Sequence, residues 1–161
     1  MTEESFTVSH SQVEMTQLVL PNDTNQLGNL LGGQLMHWID LAGAIAASRH
    51  SKRICVTASV DELNFLHPVK QGEVVILRAS VNCVFRTSME VGVKVLSENL
   101  LTGKVLHANT AYLTFVSIDD NGQPVESPRL LLENDEERRR FADASRRRDD
   151  RLRRRSKIIN E

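Results

Sequence analysis

The sequence predicts an α+β fold in which one long helix packs on an antiparallel sheet. Three observations lead there. Only one stretch of the body, Gln34 to His50, carries apolar residues at helical spacing over several turns. Several later segments alternate apolar and polar residues, as half-buried strands do. The links between those strands are hairpin-sized, and short links require antiparallel neighbours. A helix and a sheet of this kind each have one face to bury, and they bury it against each other.

The elements follow in order. Phe6 to Leu20 alternates weakly and is read as a strand. The next dozen residues have no apolar period and contain Gly28, Gly32 and Gly33, so they form a loop leading to a helix start. In Gln34 to His50, Leu35, Ile39, Ala42 and Ala46 recur every three or four positions, giving a helix of about 18 residues, roughly 27 Å long. Gly43, Ala44 and Ala47 keep one flank small, so a curved sheet or a second helix can approach closely. Three strands come next: Cys55 to Phe65, Val74 to Val84 and Thr87 to Leu96. In the third, Met89, Val91, Val93 and Val95 face one way, and Ser88, Glu90 and Lys94 the other. Phe85-Arg86 joins the second strand to the third, and Asn99 to Gly103 leads into a fourth, Lys104 to Ile118.

The chain divides by composition at about residue 130. Net charge is −1, yet from Glu133 onward there are 11 basic and 8 acidic residues. Residues 131–161 contain no Gly or Pro, and Glu133, Asp135, Glu136 and Glu137 precede the basic stretch, where acids suit the positive end of a helix dipole. This unit reads as a charged, salt-bridge-laced helix in solvent, or as an electropositive arm for a phosphate-bearing partner. Residues 1–130 make one domain with its own core. No run of about 18 apolar residues occurs, and the first 20 residues lack a signal-peptide pattern, so a cytoplasmic protein without membrane contact is expected. Cys55 and Cys83 lie in strand segments without metal-site spacing and are read as reduced, packed thiols.

For chemistry, the glycine-rich helix start matters first. Its N–H groups have no partners within the helix, and with the helix dipole they can hold an anion or a developing oxyanion. Simple close packing explains the glycines equally well. A Walker loop is excluded by the missing Gly-Lys-Ser/Thr, and a dinucleotide fingerprint by the missing G-x-G. Asp40 falls beside the apolar stripe of the helix. It is either a partly desolvated carboxylate suited to general-base work or an exposed residue paired with His37. No nucleophile elbow is present, and the five histidines lack metal-ligand spacing, so no metal and no cofactor are expected.

Blocks along the chain carry a resemblance. Pro21-x-Asp23-x-Asn25-x-x-Gly28 is followed by Gly32-Gly33-x-Leu35-Met36-x-Trp38-Ile39-Asp40 and Arg49-His50. Then come Val56-Thr57-Ala58-Ser59-Val60-Asp61, Phe65-x-x-Pro68-Val69-x-x-Gly72, Thr87-Ser88-Met89-Glu90-Val91 and Thr114-Phe115-Val116. Together they resemble the acyl-coenzyme A thioesterases of the hotdog fold, in the branch of the cytosolic hydrolases. The resemblance implies an antiparallel sheet wrapped around one long central helix, and hydrolysis of acyl-CoA thioesters. It implies Asn25 and Asp40 as the catalytic pair; the chemistry of thioester hydrolysis then makes Asn25 the group orienting water or substrate and Asp40 the general base, or else a nucleophile that forms an anhydride. It points to the Gly33 N–H as oxyanion donor beside Gly32, and to Arg86, Thr87 and Ser88 on coenzyme A, which is substrate and not cofactor.

A non-catalytic acyl-CoA-binding regulator would share the fold, but the presence of both Asn25 and Asp40 speaks against it. A nucleic-acid partner is not expected, because the C-terminal unit offers one Phe and eight acids. The helix also sets the assembly. Asp40 lies seven residues past Gly33, about 10 Å along the axis, so one copy cannot place both on one carbonyl. Two copies running antiparallel about a two-fold axis can, which predicts a homodimer with cross-subunit active sites. The resemblance adds that three such dimers can assemble together.

Overall fold

The computed structural model describes residues 4–61 and 63–160. A short strand β1 (Ser5–Thr7) runs into a single helical turn, α1 (Val8–Ser11), and then β2 (Val13–Leu18). The long helix α2 (Gly32–Ser51) follows, then β3 (Ile54–Val60), β4 (Val74–Val84), β5 (Ser88–Glu98) and β6 (Val105–Ile118). A short β7 (Arg129–Leu131) precedes the C-terminal helix α3 (Asp135–Ile159). The main sheet is antiparallel throughout, in the order β2-β4-β5-β6-β3. β1 and β7 pair in parallel as a separate ribbon.

Alternation decides which face is inner. Val75, Leu77, Ala79 and Val81 of β4, Met89, Val91, Val93 and Val95 of β5, and Ala111, Leu113 and Phe115 of β6 are all buried, and they meet Leu35, Trp38, Ile39, Ala42 and Ala46 of α2. Register shifts interrupt the β3–β6, β4–β5 and β5–β6 ladders, and such bulges add the twist that lets a sheet curve around a helix. A Cβ on Gly43 would sit 2.9 Å from a ring carbon of Phe115, so the small flank of α2 is what lets the sheet come close. This is the hotdog arrangement that the sequence blocks imply.

Two expected strands are shorter than their apolar patterns. Phe6 to Leu20 is broken by α1, where the Ser11 hydroxyl donates to the Val8 carbonyl and accepts the Val81 N–H. β3 ends at Val60, because Leu63 and Phe65 belong to a loop and not to the ladder.

The outer face of the sheet carries α3. Asn134 caps it, its Oδ1 accepting the Glu137 N–H at 2.9 Å, and Asp135, Glu136 and Glu137 sit in its first turn. Its middle docks, contrary to the expectation of a helix held in solvent. Glu90 is only 1 % exposed; its carboxylate accepts Arg147 Nη2 at 2.7 Å, Arg147 Nε at 3.0 Å and Asn82 Nδ2 at 3.1 Å. The Arg147 guanidinium also lies 3.6 Å from the centre of the Tyr112 ring, and Arg148 covers Phe85. Ala144 is the one α3 residue that is fully buried among those described. Burial pushes the neighbouring Cys83 thiol up to about 11, as suits a packed and unreactive cysteine.

Candidate active site

The loop before α2 is held by its own polar groups. Asp23 Oδ2 accepts the Leu20 N–H at 2.9 Å, and the Asp23 carbonyl accepts the Leu31 N–H at 2.8 Å. Asn25 lies inside this frame. Its Oδ1 accepts the N–H groups of Leu27 and Asn29, and its own N–H donates to the Asn29 carbonyl at 2.8 Å. Gly28 closes the turn at φ +75°, where a side chain would be strained. With Oδ1 committed, the Asn25 amide Nδ2 is left as a donor without an acceptor among the described residues.

Asn25 opens on a cavity of about 340 Å³ at the start of α2, lined also by Gly32, Leu35, Phe65, His67 and Ala108. The Phe65 ring rests on Gly32, where an added Cβ would stand 3.3 Å away, whereas a Cβ at Gly33 would face open space, with no described residue outside its own helix turn within 4 Å. The first N–H of this helix end with a backbone acceptor is that of Leu35, bonded to the Leu31 carbonyl. The N–H groups of Gly32, Gly33 and Gln34 therefore have no backbone acceptor among the described residues, and of the three Gly32 lines the cavity.

Asp40 lies two turns further along α2 and is half-buried. Its partner is Thr57 and not His37: Thr57 Oγ1 of β3 donates to Asp40 Oδ1 at 2.6 Å. That contact was hidden in the sequence, because it depends on which residue of β3 faces α2 across 17 positions of chain. Within one chain the candidate residues thus fall into two candidate half-sites, Asn25 with the Gly32–Gly33 helix start, and Asp40 with Thr57 outside the lining of that cavity.

Arg86, Thr87 and Ser88 join neither half-site within the chain. They form the β4–β5 turn, where Ser88 accepts the Phe85 N–H, Thr87 the Ser117 N–H and Arg86 the Ser127 N–H through their carbonyls. Among the described residues, no group of three or more His, Cys, Asp or Glu side chains is placed to hold a metal ion.

Residues 27–104 match the Thioesterase superfamily. The chain is 46% identical over 136 residues to an acyl-CoA thioester hydrolase of Bacillus subtilis, itself described as uncharacterized, covering 84% of this chain and 79% of that one. The chain belongs to the acyl-CoA thioester hydrolases of the thioesterase superfamily. Solved structures of the family superpose on nearly all of it. An acyl-CoA hydrolase from Bacillus cereus has a TM-score of 0.91 at 38% identity, covering 98% of this chain and 95% of that one. The Staphylococcus aureus acyl-CoA hydrolase, in complex with butyryl coenzyme A, coenzyme A and coenzyme A disulfide, has a TM-score of 0.90 at 35% identity, covering 97% and 95%. That enzyme has also been solved with an Asn, an Asp or a Thr replaced by Ala; the Asn and Asp stand 15 positions apart, and the Asp and Thr 17. A hexameric acyl-CoA thioesterase superposes with a TM-score of 0.90 at 38% identity, covering 94% and 97%. Among curated relatives, the rat cytosolic acyl coenzyme A thioester hydrolase is 35% identical over 86% of this chain, which spans 37% of that longer protein.

Proposed function

We propose that Asp40 is the general base of this acyl-CoA thioesterase and that its active site is completed by a second copy of the chain. The chain is a hydrolase: water attacks the thioester carbonyl, and the products are a free acid and coenzyme A. A thioester carbonyl is already electrophilic, so the reaction needs a positioned water, a base and donors for the developing oxyanion. Asp40 takes the proton from water. Thr57 holds Oδ1 of that carboxylate and leaves Oδ2 for the water. The Asn25 Nδ2 orients water or carbonyl, and the Gly33 N–H, backed by the α2 dipole, stabilises the oxyanion. No metal or cofactor enters this scheme.

The observation that carries the reading is the 2.6 Å Thr57–Asp40 hydrogen bond, which aims a half-buried carboxylate from the middle of α2. Asn25, Asp40 and Thr57 also have the spacings of 15 and 17 seen for the three residues replaced in the Staphylococcus aureus enzyme. The second copy is supported by what one chain leaves uncovered. Among the described residues β3 pairs with β6 alone, Ile54 on it is 70 % exposed, and Met36, Leu41 and Ile45 of α2 are exposed as well. A free sheet edge beside an apolar helix flank is a surface for an antiparallel copy. Hexameric relatives suit three such dimers, with Arg86, Thr87 and Ser88 reaching coenzyme A from a neighbouring chain. A cytoplasmic location agrees with the rat cytosolic relative, and no helix among the described residues is long and apolar enough to cross a membrane.

The test is thiol release from a series of short to long acyl-CoAs, run in EDTA. The parent chain is expected to turn over at least one of them, and Asp40→Asn to lose about 10²-fold or more while keeping its fold. A well-folded Asp40→Asn variant working at the parental rate refutes the assignment.

A further inference from the structure

One turn of α3 grips the point where β3 leaves the sheet. Arg147 and Arg151 are four residues apart and so share a face of the helix. Arg147 lies over the Tyr112 ring, and the Tyr112 carbonyl accepts the Asp61 N–H at 2.9 Å. The Asp61 carboxylate stands 3.3 and 3.5 Å from Arg151 Nη1. Both side chains of that pair are mostly covered, at 22 % and 16 % exposed, so the pair is partly shielded from solvent screening.

Asp61 stands between two parts of the candidate site. Four residues before it, Thr57 donates to Asp40. Four residues after it comes Phe65, which with His67 and Pro68 lines the cavity and rests on Gly32. Beyond Val60 the ladder with β6 has ended. Among the described residues one backbone bond, Leu66 N–H to the Ala108 carbonyl at 3.1 Å, then ties residues 63–68 back to β6. A segment with so few bonds samples many conformations unless its ends are fixed, and a ligand that needs it ordered must supply that ordering.

Resting on the thioesterase reading above, we infer that Arg151 is a positioning residue for substrate binding. Through Asp61 it fixes the end of β3 and the start of the cavity loop, without itself touching substrate. The Arg-rich helix thereby gains a role in the site that lies on the opposite face of the sheet. Loosening the tether leaves the base and its geometry in place and lowers the fraction of chains with a formed cavity. Its effect falls on KM and spares kcat.

The experiment compares the full-length parent with Arg151→Gln, Arg151→Lys and Asp61→Asn, by amide hydrogen exchange and by butyryl-CoA hydrolysis. Arg151→Gln and Asp61→Asn are expected to speed exchange in residues 63–69 about ten-fold while β4 and β5 are unchanged, as for a local opening. KM is expected to rise about five-fold with kcat within two-fold, and Arg151→Lys, which keeps the charge, to restore most of both. The double variant should be no worse than either single one, because both remove the same pair. Unchanged exchange in 63–69, or an equal rise across β4 and β5, overturns the inference, since α3 would then only stabilise the whole domain. Exchange needs no turnover, so a parent chain that hydrolyses no acyl-CoA would refute the thioesterase reading while exchange still decides the tether.

Discussion

The two long helices lie on opposite faces of one sheet and are held there by opposite means. α2 presents Leu35, Trp38, Ile39, Ala42 and Ala46 to the inner face and has Phe115 pressed against Gly43. α3 presents Arg147 and Arg151 to the outer face and buries only Ala144. Apolar packing tolerates small adjustments, whereas a buried ion pair depends on both partners being present. Removing half of it leaves a charge without water or counter-ion. The outer interface should therefore fail abruptly at one residue and the inner one by degrees.

The largest effect is expected at Arg147. Arg147→Ala removes the counter-ion of the buried Glu90 carboxylate and leaves it only the Asn82 amide, costing about 3–5 kcal/mol in urea unfolding. Replacing both Glu90 and Arg147 by Leu should recover most of that loss. If Arg147→Ala costs no more than an exposed ion pair, α3 is not held as described. On the inner face, Gly43→Val pushes a branched side chain into Phe115, its Cβ alone 2.9 Å from the ring, and is expected to cost about 1–3 kcal/mol by overpacking, read by the same unfolding. A neutral result would mean that the sheet can recede from α2.

The smallest effect is at the far end of α2, where His50 donates through Nε2 to the Pro128 carbonyl while its Nδ1 is buried without a partner among the described residues. Burial holds the His50 pKa below 6.5, outweighing the opposite pull of the Pro128 carbonyl, with nearby His10 lowering it further. Between the lowered folded value and 6.5 the unfolded chain binds the proton and the folded chain does not. Stability should thus be undiminished above 6.5 and decline as pH falls below it. His50→Gln should flatten that decline in unfolding measured between pH 5 and 8. An unchanged slope would show that His50 titrates freely.

The same contrast explains what could be read from the sequence. α2 and the β4 to β6 strands were legible because apolar spacing reports directly on apolar packing. Glu90 alternated outward from Met89 and Val91, which on a half-buried strand means solvent, and nothing local tells that a helix 57 residues later will cover it. Leu63 and Phe65 extended the apparent strand because a loop residue that packs on the core, as Leu63 does, or lines a cavity, as Phe65 does, is as apolar as one in a ladder. The candidate site was legible in part. Asn25, Gly33 and Asp40 stood out as candidates through the helix start and the family blocks, and the helix rise separated Gly33 from Asp40. Thr57 did not, since its contact with Asp40 rests on the register of β3 against α2.

Sharing of the active site between chains is tested most directly by mixing Asn25→Ala with Asp40→Asn. Each variant alone should be nearly inactive. Co-expressed in equal amounts, they pair at random, half of the dimers are mixed, and each mixed dimer has one site with both defects and one with neither. About a quarter of the parental sites should return, by counting over a two-fold interface. Native mass spectrometry that finds mixed dimers while thiol release stays at the level of the single variants would contradict the account and place Asn25 and Asp40 in one subunit's site.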